Sequence, residues 1–190
     1  MSRVAYVRYD DGWDDGPDHG PEPSSTTERA LNAQLIGTNQ PRPRAWWLGV
    51  HGGAGESSLA ALFPSFSAAE HLWPVDPSGQ THVVLVARTN YHGMSSVQAT
   101  MRDWSAHHRH HVLVLGLVLI ADRPGRLPRA LQDFQRDLEG ATPCLWRLPW
   151  IDSWSLGMTP SPENSSRREA EALRLGVSAA LRTAGKEQHD

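Results

Sequence analysis

"AWWLGVHGGAGESSLAALF", residues 45–63, decides how the rest of the chain is read. An apolar run (45–50) reads as a strand, feeds a glycine-rich turn, and continues as one or two helical turns (57–63) stopped by Pro64. A strand, a glycine turn and a helix N-terminus aim several backbone N–H groups at one point. The helix dipole adds partial positive charge there, so the arrangement suits an anion. Gly52, Gly53 and Gly55 allow the tight path, and Ser57 and Ser58 stand where a hydroxyl could reach Mg²⁺. With His51, Ala54 and Glu56 they make the candidate anion- or nucleotide-binding loop, residues 51–58.

Two positions break the ordinary phosphate-loop pattern G-x-x-x-x-G-K-[ST]. Val50 stands at its first glycine and Glu56 at its lysine. Lys186 is the only lysine in the chain, so none is near the loop. At about 4 Å and an effective dielectric of about 20, a lysine–phosphate pair is worth roughly 4 kcal/mol, and a carboxylate reverses the sign. Backbone amides at about 1.5–3 kcal/mol each offset part of that loss. They do not replace the positioned cations that phosphoryl transfer relies on. Glu56 itself has two structural readings: an acid favoured in a first helical turn, or a partner for Arg88 or Arg123 across the strand ends.

Working outward, strand and helix patterns alternate. "HVVLVAR" (82–88), "VLVLGLVLIA" (112–121) and "CLWRLP" (144–149) read as further strands, the first of them apolar enough for burial on both faces. Between them, Met94, Val97, Met101 and Trp104 mark one helical stripe, and Leu127, Leu131, Phe134 and Leu138 another, with Gly140 as its C-cap. A last helix is expected from Ser161-Pro162-Glu163 to about 184, with Ala170, Leu173, Val177 and Leu181 on its apolar face. The expectation is an α/β domain over 45–184: a three-layer, P-loop-like parallel sheet of about four core strands with flanking helices. Ligands of such sheets bind at the carboxyl ends of the strands. That edge should gather the loop with Arg88, Thr89 and Asn90, with Asp122 and Arg123, and with the segment from Trp150 to Trp154.

Residues 1–44 read as an acidic, largely disordered tail. Asp10, Asp11, Asp14, Asp15 and Asp18 alternate with Gly and Pro, and only 26–37 has a helical pattern. Residues 185–190 form a second tail. A net charge of −3 argues against direct nucleic-acid binding. The longest apolar run is too short to span a bilayer, and the N-terminus has no secretory h-region. One cysteine, Cys144, excludes an internal disulfide and fits a reducing cytoplasm.

With these residues in view, "VHGGAGESS" resembles the deviant phosphate loop of the MinD/ParA group of P-loop ATPases, G-K-G-G-x-G-K-[ST]-[ST]. His51 falls on that group's signature lysine and Glu56 on its phosphate-binding lysine. "LGLVLIADRPG" and "LWRLPWIDSWSLG" are similar to later segments of the group, so the resemblance spans about 48–157. The loop also resembles that of an actinobacterial family carrying the same Gly-Glu-Ser sequence, found in chromosomes and mobile elements. The resemblance implies ATP or GTP with Mg²⁺ as ligand, protein partners and a homodimer. Against it, 64–81 has no strand ending in a Mg²⁺-coordinating aspartate; Asp76 is its only aspartate, in a Pro-flanked turn. The expected function is therefore a degenerate P-loop domain that binds an anion or nucleotide without hydrolysing it and serves regulation or interaction. The alternative is an atypical ATP or GTP hydrolase with an arginine in place of the lysine.

Three other signals are weaker. A serine hydrolase using Ser57, a histidine and Asp122 fails the G-x-S-x-G test, since Leu59 stands where the second glycine belongs. His107, His110 and His111 in "HHRHH" could share a helical face, but no cysteine or carboxylate completes a metal set, so a solvated helix end is expected. Trp46, Trp47 and Trp104 read as core, whereas Trp146, Trp150 and Trp154 form either loop packing or a stacking wall.

Overall fold

A computed structural model describes residues 5–8, 43–76, 80–106, 111–158 and 167–187. The elements in chain order are β1 (Ala5–Arg8), β2 (Ala45–Gly49), α1 (Glu56–Leu62), β3 (Phe66–Ala68), β4 (Leu72–Val75), β5 (Thr81–Arg88), α2 (Tyr91–Ala106), β6 (Val112–Ile120), α3 (Arg129–Ala141), β7 (Leu145–Leu148), α4 (Asp152–Ser155) and α5 (Arg167–Glu187). The helical pattern at 26–37, most of "HHRHH" and the Ser161–Glu163 start signal lie outside the described residues.

Five strands form one parallel sheet in the order β3-β2-β5-β6-β7, one more than the expected four. The extra strand is β3, whose three residues "FSA" are too short to leave a periodic signal. A two-stranded antiparallel ribbon, β1 with β4, lies beside it; β1 comes from the segment expected to be tail. β5 and β6 supply the sheet's middle because nearly every residue in them is apolar and can be buried on both faces.

The two faces carry separate cores. On one, Trp47, Val84, Val86, Val118 and Ile120 meet Leu59 and Phe63 of the α1 segment and Leu173 and Val177 of α5. On the other, Trp46, Leu48, Leu85, Leu117 and Leu119 meet Met94 and Val97 of α2 and Leu138 of α3. Three layers result, as β2's alternating tryptophans predict. β6 changes phase midway: Val83 pairs with Val114 but Val84 with Gly116, so Leu115 is an extra residue in a β-bulge. The bulge explains why Val114 and Leu117 face the same core.

Two helix boundaries differ from expectation. α3 passes through Gly140 to Ala141 and ends at Thr142, whose hydroxyl donates to the Leu138 carbonyl. Apolar contacts of Leu138, at 1% exposure, hold that last turn, so no glycine cap is required. α5 runs to Glu187, past the expected end near 184. Among the described residues no helix is long and apolar enough to cross a membrane.

Candidate functional site

In chain order the parallel strands are β2, β3, β5, β6 and β7, so their arrangement is second-first-third-fourth-fifth. In this doubly wound order the chain reverses direction between β2 and β5, and the loops leaving those two strands diverge into a crevice. The loop after β2 is the glycine loop, and the loop after β5 follows Arg88, the last residue of that strand.

Arg88 joins the two. Its backbone N–H donates to His51 Nε2 at 3.1 Å, its Nε to the Gly53 carbonyl at 3.2 Å, and its Nη1 to the Ala121 carbonyl at 3.2 Å. One side chain thus ties the glycine loop to the end of β6. Burial lowers the Arg88 pKa, and nearby Asp122 offsets part of that shift. His51 Nδ1 is 2.8 Å from the Gly52 carbonyl, so Nδ1 carries the hydrogen and Nε2 accepts from Arg88. Burial pushes the His51 pKa down; the Gly52 carbonyl opposes this, while His92, Arg88 and His71 add to it. The rings of His51 and His92 meet edge to face at 5.6 Å.

Thr89, Asn90 and Asp122 form a second knot. Asn90 Oδ1 accepts from the Gly93 N–H at 2.7 Å, and its Nδ2 donates to Asp122 Oδ1 at 2.9 Å. The Asp122 N–H donates to the Thr89 hydroxyl at 3.1 Å. Arg123 was expected at this edge, yet its side chain is 72% exposed and its nearest acid, Asp122, is 3.9 Å away. Trp150 donates to Asp152 Oδ1 at 2.6 Å, and Trp154 packs against the α5-side core, which makes these residues loop packing.

Glu56 stands in the first turn of α1, where an acid is favoured, but its side chain goes elsewhere than either reading foresaw. It caps nothing by side chain, and it does not reach Arg88 or Arg123. It is the first residue of α1, 6% exposed, and its Oε2 accepts the backbone N–H of Gly49 at 2.6 Å. The reason is a missing rung. β3 ends at Ala68, and the Ala69 N–H makes the last ladder bond, to the Trp47 carbonyl. Gly49, two residues on, points its N–H and C=O toward the same side with no strand opposite. Each buried group left unpaired there would cost about 1–3 kcal/mol. Glu56 accepts the N–H, and His71 Nδ1 bonds the carbonyl at 2.7 Å. His71 Nε2 is in turn 3.4 Å from Glu56 Oε1. A Cβ at 49 would lie 2.9 Å from Glu56 Cδ and 3.0 Å from His71 Cε1, so one of these side chains would have to shift.

His71 is the member of this cluster that sequence reasoning missed. It sits in a tight turn, Ala69–Leu72, closed by the Leu72 N–H on the Ala69 carbonyl at 3.0 Å. Both central residues are left-handed, Glu70 at φ 52 and His71 at φ 61. Such turns favour Asn-Gly, so "EH" leaves no signal of one.

The remaining groups are placed as follows. Gly52 and Gly53 are exposed, with open space around their α-carbons. Ala54 is buried at 1%; Gly55 is left-handed (φ 106) at the N-cap of α1. Ser57 is exposed and Ser58 half-buried. Asp76 lies at the other end of the sheet, its N–H on the Thr81 hydroxyl at the start of β5. Among the described residues no group of three His, Cys, Asp or Glu is placed to hold a metal ion.

The model of a family of unknown function, DUF6668, matches residues 44–170. This chain belongs to that family. The DUF6668 match runs from the edge of β2 into α5, so the glycine loop, Glu56, His71, Arg88 and Asp122 all fall within it. No curated protein and no solved structure matches the chain.

Proposed function

We propose that this DUF6668 chain is a P-loop-like binding domain that holds an anionic ligand without hydrolysing it, at the crevice between β2 and β5. The phosphates of ATP or GTP are the expected ligand, and the occupied state is read by a protein partner. One observation carries this reading: the charges at the glycine loop are reversed from their linear order. Glu56 turns back into the β2 edge toward Gly49, while Arg88 reaches over from β5 to Gly53. The carboxylate that should repel an anion is engaged, and a guanidinium stands in for the missing lysine. The open space at Gly52 and Gly53 leaves backbone for a ligand to approach.

The positions of the carboxylates support a reading without turnover. Glu56 bonds Gly49, Asp122 bonds Asn90, and Asp76 lies at the opposite end of β5, an eight-residue strand. At about 3.3 Å per residue that end is roughly 20 Å from the loop. None of the three stands ready to hold Mg²⁺ or orient a water, so a magnesium ion would arrive on the phosphates of its nucleotide. The single cysteine, Cys144, free and half-buried, supports a cytoplasmic setting.

The test is calorimetric titration with ATP and GTP, with and without Mg²⁺, alongside a phosphate-release assay. Binding without release is expected. Arg88→Ala should weaken it by about tenfold or more, since a charge-assisted hydrogen bond is worth about 1.5–3 kcal/mol. Phosphate release abolished by Arg88→Ala would instead establish the atypical hydrolase. No binding of either nucleotide would end the anion reading.

A further inference from the structure

The stretch from the end of β6 into α3, "ADRPGRLPR" (121–129), carries three arginines in nine residues, and Arg136 adds a fourth within α3. Pro124, Pro128 and Gly125, at φ 92, fix the path of this loop. Its base is anchored at the crevice: Arg88 Nη1 donates to the Ala121 carbonyl, and the Asp122 N–H to the Thr89 hydroxyl. From there the loop delivers Arg126 and Arg129 to an exposed groove of about 560 Å³, lined further by Leu127, Gln132, Asp133 and Arg136.

Positive charge in the groove is left uncompensated. Arg136 pairs with Asp133 at 2.8 Å, and Arg123 lies 3.9 Å from Asp122. Arg126 and Arg129 are exposed, and among the described residues no carboxylate pairs with either. The first turn of α3 holds no acid, and its N-cap, Pro128, makes no side-chain bond. Acids are favoured at that end of a helix dipole, so unpaired cations there raise the energy of the free surface. Gln132 offers no relief, because its amide donates to the Leu127 carbonyl.

We propose that this groove docks an acidic, extended segment of a protein partner. A guanidinium can hold a carboxylate through two parallel hydrogen bonds. Leu127 and the methylene stems of the arginines offer apolar surface between the charges, which suits acidic side chains alternating with apolar ones. A nucleic-acid duplex, with one phosphate charge about every 1.7 Å, fits less well. It would meet Asp133 inside the groove, exposed Asp137 and Glu139 farther along α3, and a chain of net charge −3. Arg126 and Leu127 also line a cavity of about 350 Å³ that reaches Thr89 and Asp122, so the docked segment lies beside the crevice between β2 and β5. As the partner that reads the glycine loop, this segment rests on the anion-binding reading above; as a docking surface, the groove does not use that loop.

Fluorescence anisotropy of the nucleotide-free full chain tests it, with a labelled peptide of alternating aspartate and leucine as the probe. Saturable binding is expected, lost when asparagine replaces aspartate and weakened as salt rises. The chain is itself acidic, so its overall charge cannot supply such binding. Arg126→Glu together with Arg129→Glu should weaken binding by about tenfold or more. Arg182→Glu, the same charge change on α5 across the sheet, should alter it by less than about twofold. No binding of the aspartate peptide, equal binding of the asparagine peptide, or equal weakening by Arg182→Glu overturns the proposal. Tighter binding of a DNA duplex at the same salt, or displacement of the peptide by equimolar inorganic phosphate, overturns it too. Titration with ATP on the same samples keeps the two readings apart. A chain that binds the peptide and not ATP retains the docking surface and loses the anion site; one that binds ATP and not the peptide does the reverse.

Discussion

The backbone N–H of Arg88 ends on Nε2 of His51, so the last residue of β5 sets the tautomer of the first residue of the candidate loop. That ring is held neutral by burial, and its folded pKa lies below the ordinary value of 6.5. As pH falls below 6.5 the unfolded chain takes up a proton that the folded one refuses. Stability from this site is therefore full above the unfolded pKa and is lost as pH drops from there toward the folded pKa. The stability gap between the natural chain and His51→Gln, measured by urea denaturation, should narrow from about pH 7.5 to pH 5. A gap that widens would contradict the assignment. His82, also lowered by burial, should behave with the same sign.

Substitutions at Glu56 should rank by acceptor, not by charge alone. Gln keeps an oxygen for the Gly49 N–H; Ala leaves that group unpaired, at about 1–3 kcal/mol. Lys brings an ammonium, which cannot accept, to a buried donor. Denaturation midpoints should therefore fall in the order Glu, Gln, Ala, Lys. Restoration of a common phosphate-loop residue by Glu56→Lys should damage this protein. A Lys variant as stable as the Gln variant would show that Gly49 does not need Glu56.

Gly49→Ala should act through the same bond. The added Cβ meets the movable end of Glu56, so the carboxylate swings away and the bond is lost, at about 1–3 kcal/mol. The double variant Gly49→Ala with Glu56→Ala should then be little worse than either single one, a strongly non-additive cycle. Gly52→Ala, whose Cβ meets nothing within 4 Å, is the control and should stay within about 0.5 kcal/mol. Full additivity at 49 and 56 would refute the shared contact.

The turn separates strain from contact. Glu70→Gly relieves a left-handed residue whose side chain is exposed and should stabilise by about 0.5–1 kcal/mol. His71→Gly relieves the same strain but removes the ring from Gly49 and Glu56, so it should destabilise. If both variants stabilise, the imidazole contributes less than its backbone costs.

What could be read in the sequence follows from range. β2, β5 and β6 were visible because their apolar runs declare burial on both faces, β7 as a short strand candidate after the Leu127–Leu138 stripe, and the helical stripes at Met94–Trp104 and Ala170–Leu181 declare the layers that cover them. β3 and β4 were not, being three and four residues long, the second with Pro74 inside it. Arg88, Thr89, Asn90 and Asp122 were placed correctly at one edge by topology alone. Their partners were not, since hydrogen bonds across 32 to 37 residues leave no pattern in composition. The partner of Glu56 was missed for that reason, although its place in a first helical turn was not: the partner depends on where β3 stops and on a left-handed turn 15 residues later, neither of which has a linear signature.

The short β3 has one more consequence. A sheet edge with free N–H and C=O groups is a template on which a foreign strand can grow. Beyond Ala68 that template would be Gly49, and its two backbone groups are already occupied by side chains from α1 and the Glu70–His71 turn. A strand arriving from another molecule could add beside β3 but would find no rung to continue on. Side chains from α1 and the Glu70–His71 turn, not a further strand, thus end the sheet on the side of the glycine loop.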